Sequence, residues 1–163
     1  MTHAFEGRIV HLPGALSYAV VFLPERLVDE LPFATQPRLR LRGKFGGVPF
    51  AAVWKPSGER WYFMVSQRLL RLSGYALGEL ALVSFQLESP DTVHTPEILT
   101  EALQKAGLTK HWNVLPPGLR RSYAYGIASA RRTDTVQRRL TEVLEWVKTM
   151  AEDREPSLGK LRL

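Results

Sequence analysis

The chain contains no cysteine, which excludes disulfide bonds, thiolate metal ligands and cysteine nucleophiles together. The absence fits a reducing compartment, and we therefore expect a cytoplasmic protein. No apolar run approaches the roughly 20 residues that a membrane-spanning helix needs. Residues 1–8 lack the long apolar segment of a signal peptide and include an acidic residue. The sequence therefore predicts a protein without a membrane span.

Motifs that carry a known chemistry are also missing. The hydrolase elbow Gly-x-Ser-x-Gly, the dinucleotide fingerprint Gly-x-Gly-x-x-Gly and the phosphate-binding lysine motif do not occur. The four histidines show neither i, i+4 nor zinc-type spacing, and the carboxylates form no evident acid–base pair. We therefore expect no metal, no cofactor and no catalytic residue. The histidines are His3, His11, His94 and His111.

The positive charge of the chain is concentrated in one segment. Of the 163 residues, 45% are hydrophobic and 23% are charged, which is ordinary for a globular protein, and the net charge is +6. Residues 107–139 contain seven basic residues and a single acidic one, so this segment alone carries +6. The rest of the chain sums to zero. The basic character therefore belongs to one region and not to the whole surface.

The first ninety residues have the pattern of a β-structure. Residues 38–42 alternate strictly between arginine and leucine, and Gly46-Gly47 is a two-residue hairpin signal. A second hairpin is predicted around residues 55–60, with Trp54 and Trp61 paired across its strands. About six strands in this length favour a small closed barrel, because closure removes edge strands. The predicted strands are residues 5–10, 17–23, 38–42, 50–54, 61–65 and 80–87.

Helical patterns dominate after residue 90. One helix is expected to begin at Pro96 with Thr95 as its cap, a second to cover residues 119–131, and a third to follow Thr133. Because such short helices are unstable alone, we expect them to pack on the barrel and to unfold with it. The predicted organisation is a barrel over residues 1–90, a helical region over 91–155 and a tail over 156–163.

Two blocks of the sequence resemble known families. Residues 43–50, 65–74 and 78–79 resemble the bacterial domain-of-unknown-function family numbered 1905, which implies a small β-barrel related to the double-psi type. Residues 115–139 are similar to the YdeI/OmpD-associated family, often labelled bacteriocin-protection. The residues that carry the second resemblance are Leu115, Pro116, Pro117, Tyr123, Ile127, Ala130, Arg131, Arg132, Thr135, Arg138 and Arg139. Taken over their whole lengths, the two resemblances cover nearly all of residues 5–150.

The resemblance implies a phenotype, protection against bacteriocins, and no established reaction. Three positions depart from the family pattern. Gly126 stands where the family usually has tryptophan, Val136 replaces an arginine, and Gln67 replaces a lysine. If those residues bind a ligand in relatives, the binding is altered or lost in this chain.

The candidate site is a stripe of three arginine pairs with a basic-aromatic patch before it. At about 3.6 residues per turn the pairs would share one face of a continuous helix, although a break near Thr133 weakens that arrangement. The stripe has two interpretations. In the functional one it binds a phosphate-rich or acidic partner, and in the structural one it forms salt bridges on a solvated face. We favour the structural reading. The candidate residues are Arg120, Arg121, Arg131, Arg132, Arg138, Arg139, Lys110 and Trp112.

Trp112 has two interpretations of its own. It either lines a groove between the barrel and the helices or anchors the helices by packing, and we favour the anchor because aromatic residues dominate cores. A further basic stretch, residues 38–44, presents cations on one face of a strand. That stretch is interpreted mainly as a charged barrel exterior and secondarily as an anion site.

Three functions remain open from the sequence. The first is a non-enzymatic binding or accessory module of the bacteriocin-protection class, with an unidentified protein partner. The second is a nucleic-acid or other polyanion binder that uses the arginine stripe. The third is an enzyme with a site between the barrel and the helices, which we rank lowest because no catalytic set is visible.

Overall fold

A computed structural model describes residues 1–14 and 17–154 of the chain. The chain divides into two compact units, Met1–Pro90 and Asp91–Leu163. Each unit has an apolar core built from its own residues. The predicted tail, residues 156–163, and the predicted end of the helical region at residue 155 lie outside the described residues.

The first unit contains all eight strands of the described residues and two short helices. Four strands form one antiparallel sheet in the order β1-β8-β4-β5, and four form a second in the order β2-β3-β7-β6. The elements are β1 (His3–Arg8), β2 (Val10–Leu12), β3 (Tyr18–Phe22), α1 (Glu25–Val28), β4 (Arg40–Phe45), β5 (Val48–Val53), β6 (Lys55–Ser57), β7 (Arg60–Met64), α2 (Gln67–Ser73) and β8 (Leu80–Glu88).

The chain passes directly from one sheet to the other at two points, and at each point a single residue separates the two strands. Ile9 separates β1 from β2, and Trp54 separates β5 from β6. Both side chains are fully buried. The first unit is therefore a two-sheet antiparallel structure whose sheets share continuous strands, within a chain that has six helices in its described part. The closed barrel stays a prediction.

An aromatic cluster forms the centre of the first unit. Trp54 packs against Phe63 and Phe85, with ring centroids 5.2 and 5.4 Å away, and its backbone N–H donates to the carbonyl of Leu39 at 2.9 Å. Its indole nitrogen is buried without a hydrogen-bond acceptor. Trp54 is therefore held by packing and by its backbone and not by its polar atom.

The predicted pairing of Trp54 with Trp61 is wrong. Trp61 stands opposite Pro56 in the β6–β7 ladder, and its ring stacks on Phe33 with centroids 3.9 Å apart. The hairpin around residues 55–60 is formed by β6 and β7, whereas β5 pairs with β4. The chain bends at Trp54 before the hairpin begins, so the two tryptophans point to different surroundings.

The local turn and cap signals are confirmed. Gly46 and Gly47 have φ angles of 54° and 82° and connect β4 to β5, with Phe45 opposite Val48. The Ser66 hydroxyl accepts a hydrogen bond from the N–H of Leu69 at the start of α2. Gly74 ends that helix with a φ of 76°. Each of these features depends on a few adjacent residues, which is why the sequence predicts them well.

Gly43 allows close approach of β4 to β8. It stands opposite Phe85, and a Cβ atom at this position would overlap the backbone carbonyl oxygen of Ser84. A backbone obstacle cannot rotate away as a side chain can, so the two strands would have to separate. Glycine is therefore required here by space.

Replacing Gly43 with alanine is expected to destabilise the protein by about 2–3 kcal/mol, because the added methyl group overpacks the β4–β8 ladder. Urea unfolding followed by tryptophan fluorescence measures the change. Gly126→Ala serves as the control, since no heavy atom lies within 4 Å of the new methyl group. Alanine in that helix is expected to add about 0.5–1 kcal/mol. Equal stability of Gly43→Ala and the unaltered protein would contradict the packing argument.

The second unit is helical. Its elements are α3 (Glu97–Lys105), α4 (Thr109–Asn113), α5 (Pro117–Ala128) and α6 (Thr133–Arg154). Its core contains Leu99, Leu103, Trp112, Leu115, Ile127, Leu140, Val143 and Val147. No described helix combines the length and hydropathy that crossing a membrane requires.

Two helix boundaries differ from the predictions. Pro96 is the N-cap of α3 and no side chain caps this helix, so Thr95 does not have the predicted role. The helix predicted over residues 119–131 begins at Pro117 and ends at Ala128. The short helix α4 was not predicted, because five residues are too few to show a helical period.

Candidate binding surface of the helical unit

Three arginines of the predicted stripe donate hydrogen bonds to backbone carbonyls of the helical unit. Arg120 Nε donates to the carbonyl of Leu115 at 3.0 Å, in the link between α4 and α5. Arg121 Nη1 donates to the carbonyl of Thr92 at 3.4 Å, ahead of α3. These carbonyls lie outside helices, so the guanidinium groups satisfy acceptors that regular structure leaves open. Arg120 and Arg121 thus join separate segments of the unit.

Arg139 makes the third of these bonds, to the carbonyl of Gly126. The carbonyls in the last turn of a helix have no partner from the next turn, and Gly126 lies in the last turn of α5. The bond therefore caps α5 and holds the second turn of α6 against its end. We call Arg120, Arg121 and Arg139 the pinning arginines.

The other three arginines face solvent. Arg132 Nε lies 3.3 Å from Asp134 Oδ1, and Arg138 Nε lies 3.9 Å from Glu142 Oε1, one turn further along α6. The side chains of Arg132 and Arg138 are 80% and 67% exposed. Exposed pairs of this kind are weak, at most about 1 kcal/mol each. We call Arg131, Arg132 and Arg138 the outer arginines.

The stripe does not follow one continuous helix. Because α5 ends at Ala128 and α6 begins at Thr133, Arg131 and Arg132 lie in the link between them. The bond from Arg139 to Gly126 nevertheless brings the start of α6 to the end of α5. We call this region the α5–α6 corner; the link carries Arg131 and Arg132, and Arg138 is the chain neighbour of Arg139 on α6.

Tyr125 lies in the last turn of α5, next in the chain to Gly126, and 73% of its surface is accessible. The exposed positions at helical spacing before and after it are small, namely Gly118, Ser122 and the C-cap residue Ser129. Tyr123, two residues earlier, packs on Trp146 with ring centroids 4.8 Å apart. Tyr125 therefore projects from a side of the helix whose other exposed side chains are small.

The sequence contains a signal for Tyr125 that our prediction did not use. At about 100° per residue, side chains two positions apart on a helix point about 200° apart. Tyr123 and Tyr125 therefore cannot both face the core. One of the two had to be exposed, and exposed tyrosines are typical of binding surfaces.

Lys110 and Trp112 lie on α4 and differ in their surroundings. Lys110 is exposed, whereas Trp112 is 3% exposed and packs in the core of the helical unit. The aromatic residue available to a partner is therefore Tyr125. A shallow depression beside α4 is lined by His111, Leu115, Val147, Met150 and Ala151. One imidazole among apolar side chains offers no acid–base pair.

Metal chemistry has no evident ligand set in the part of the chain that the structure describes. No group of three or more histidine, aspartate or glutamate side chains is placed to hold an ion there. The candidate surface therefore consists of Tyr125, the three outer arginines and two acidic neighbours, Asp134 and Glu142.

Comparison with known proteins finds a family similarity within the helical unit. Residues 92–149 match the family model described as bacteriocin-protection, YdeI or OmpD-associated. The matched segment covers about a third of the chain. It starts ahead of α3 and ends in the fifth turn of α6, so it includes both the pinning and the outer arginines. The chain matches none of the curated proteins.

The pinning and outer arginines should differ in their effect on stability. Arg139→Gln is expected to lower the free energy of unfolding of the helical unit by about 1.5–3 kcal/mol, the range for hydrogen bonds to charged groups. Arg138→Gln, the adjacent control, should change it by less than about 1 kcal/mol. Thermal unfolding followed by circular dichroism at 222 nm compares the two. A loss of similar size in both variants would contradict the division into two sets.

Proposed function

We propose that the helical unit is a non-enzymatic protein-binding module of the bacteriocin-protection type. The match of residues 92–149 to the family model carries this proposal. The unit also has its own apolar core, with Leu99 and Val147 fully buried, which favours a rigid platform for binding. The family description names a phenotype, so the mechanism has to come from the surface of the unit.

The α5–α6 corner is the proposed binding surface. Tyrosine and arginine are the residues that most often carry binding energy at interfaces, because each combines a large contact area with hydrogen bonding. Tyr125 supplies such an area, and the small residues around it let a partner's backbone approach. The outer arginines favour a partner with acidic side chains. The pinning arginines support the surface from behind without contacting the partner.

The first unit is proposed to be a closed barrel that supports the protein without taking part in binding. The buried bends at Ile9 and Trp54 support closure, since they make β1–β2 and β5–β6 continuous strands shared by both sheets. The resemblance of residues 43–50 and 65–74 to the family numbered 1905, a small barrel, supports the same interpretation. Closure also leaves no long edge strand exposed.

Expression of the full chain in a bacteriocin-sensitive bacterial strain is expected to raise survival after a bacteriocin challenge. Tyr125→Ala combined with Arg131→Gln should return survival to the level of the empty vector, because it removes the centre and one cation of the surface. Colony counts against bacteriocin concentration measure the effect, with one pore-forming and one nuclease bacteriocin tested.

The matched control is Tyr18→Ala, which removes a tyrosine that is 41% exposed in the first unit. It should protect as well as the unaltered chain. Soluble yield and thermal unfolding must be equal for all variants, so that a loss of protection is a loss of binding. Protection that is absent with both bacteriocins, or unchanged by the Tyr125 variant, would contradict the proposal.

Polyanion binding is the second candidate, and the exposure of the outer arginines favours it. Arg131→Gln with Arg132→Gln should then lower the slope of log affinity against log salt for duplex DNA by about one unit for each lost phosphate contact. Lys148→Gln, an exposed cation on α6 away from the corner, should leave the slope unchanged. Fluorescence anisotropy with labelled DNA measures both. Absence of binding at 20 mM salt would reject this candidate.

A further inference from the structure

Four exposed leucines lie close together in the sequence of the first unit. Leu72, Leu77, Leu80 and Leu82 have 55%, 47%, 50% and 56% of their surface accessible. Leu80 and Leu82 project from the outer face of β8, since the residues between and after them, Ala81 and Val83, are buried. Large apolar side chains grouped on a surface indicate an interaction site more often than single ones do.

The backbone that carries these leucines is held firmly. The N–H of Gly78 donates to the carbonyl of Ile9 at 2.7 Å, and Arg8 Nη1 donates to the carbonyl of Gly78 at 2.6 Å. The N–H of Leu82 donates to the Tyr75 hydroxyl at 3.3 Å. The exposure therefore does not result from a loose loop. A surface that is already ordered loses little conformational freedom when a partner binds.

Charges of opposite sign flank the two leucines on the neighbouring strand. In the β1–β8 ladder Arg8 stands opposite Leu80, and Glu6 stands opposite Leu82. Phe5 and Gly7 of β1 face the core, so Glu6 and Arg8 project from the same outer face as the leucines. The face thus presents a block of four residues, a cation beside one leucine and an anion beside the next.

This block is complementary to itself under a two-fold rotation. Consider a two-fold axis just above the outer face that runs parallel to the sheet and at right angles to the strands. It passes midway between the Leu80–Arg8 pair and the Leu82–Glu6 pair. A second copy placed face to face by this axis sets Leu80 against Leu82 of the second copy. The same rotation sets Arg8 against Glu6 of the second copy, and both contacts occur twice. We propose that the outer face of β1 and β8 is a homodimer interface.

The area of the patch indicates a weak dimer. Leu80 and Leu82, the two leucines that project from this face, together expose about one complete leucine side chain. A stable dimer buries about 800 Å² on each partner, and slightly more than half of such an interface is apolar. The leucines supply only the centre of an interface of that size. We therefore expect a dissociation constant on the order of tens of micromolar.

Sedimentation velocity of the full chain at concentrations from 1 to 500 μM tests the proposal. The average sedimentation coefficient should rise with concentration from the monomer value to the dimer value. Leu80→Ser with Leu82→Ser should weaken dimerisation at least tenfold, and because both side chains are half exposed the fold should survive. Leu119→Ser, at 42% exposure in the second unit, is the control and should have no effect.

A charge exchange gives the sharper test. Glu6→Arg and Arg8→Glu should each weaken the dimer about tenfold or more, since each single change sets like charges against each other across the axis. The double variant restores opposite charges and should regain most of the affinity. Arg8→Glu is the matched reference for this recovery, because it and the double variant both lack the bond from Arg8 to Gly78.

Three outcomes would overturn the proposal: a monomer at every concentration, a dimer that is insensitive to the leucine changes, or no recovery in the double variant. Flotation with vesicles of phosphatidylglycerol and phosphatidylcholine tests another use of the patch. Leucine-dependent vesicle binding by a chain that stays monomeric would assign the patch to a membrane surface and also overturn the dimer. Tyr125→Ala should leave the dimer unchanged, so the dimer stands or falls separately from the proposed function.

Discussion

Burial of Trp54 is the constraint on which the first unit depends. Its ring contacts aromatic side chains from both sheets, including Phe63 of β7 and Phe85 of β8. Its backbone marks the point where the chain passes from β5 to β6. The same residue therefore sets the direction of the chain and fills the space that the change of direction creates. An indole N–H without an acceptor is the cost of this position, about 1–3 kcal/mol in typical cases, and the area buried by the ring outweighs it.

The features that the sequence predicted well are those determined by a few neighbouring residues. The Gly46-Gly47 hairpin and the caps of α2 need only particular φ angles or one hydroxyl group, and both were found as predicted. The cross-strand position of Trp54 was mispredicted because its neighbours come from distant segments. Nothing within residues 50–65 indicates that Trp54 must contact Phe85. A bend that is decided by tertiary packing leaves no local pattern in the sequence.

The arginine pairs show the same contrast between features set by neighbouring residues and features set by tertiary packing. Composition and spacing single out the arginine pairs but do not separate Arg138 from Arg139, which are adjacent and make different contacts. Arg139 reaches a carbonyl thirteen residues earlier in the chain, and Arg121 reaches one that is twenty-nine residues away. Those acceptors exist only once the helices are packed. The site itself stays a prediction, and its division into pinning and outer arginines required the fold.

The helix dipole gives a reason to regard the outer arginines as functional. The N-terminus of a helix favours anions, and a cation there costs about 0.3–1 kcal/mol. Arg131 and Arg132 immediately precede α6 and so lie at its N-terminal end. Asp134 in the first turn offsets only part of this arrangement. Helix stability therefore opposes the positions of Arg131 and Arg132, and their side chains are exposed, so packing does not require them either. Residues that break a local rule without a structural gain are expected at binding sites, and that expectation applies to the α5–α6 corner.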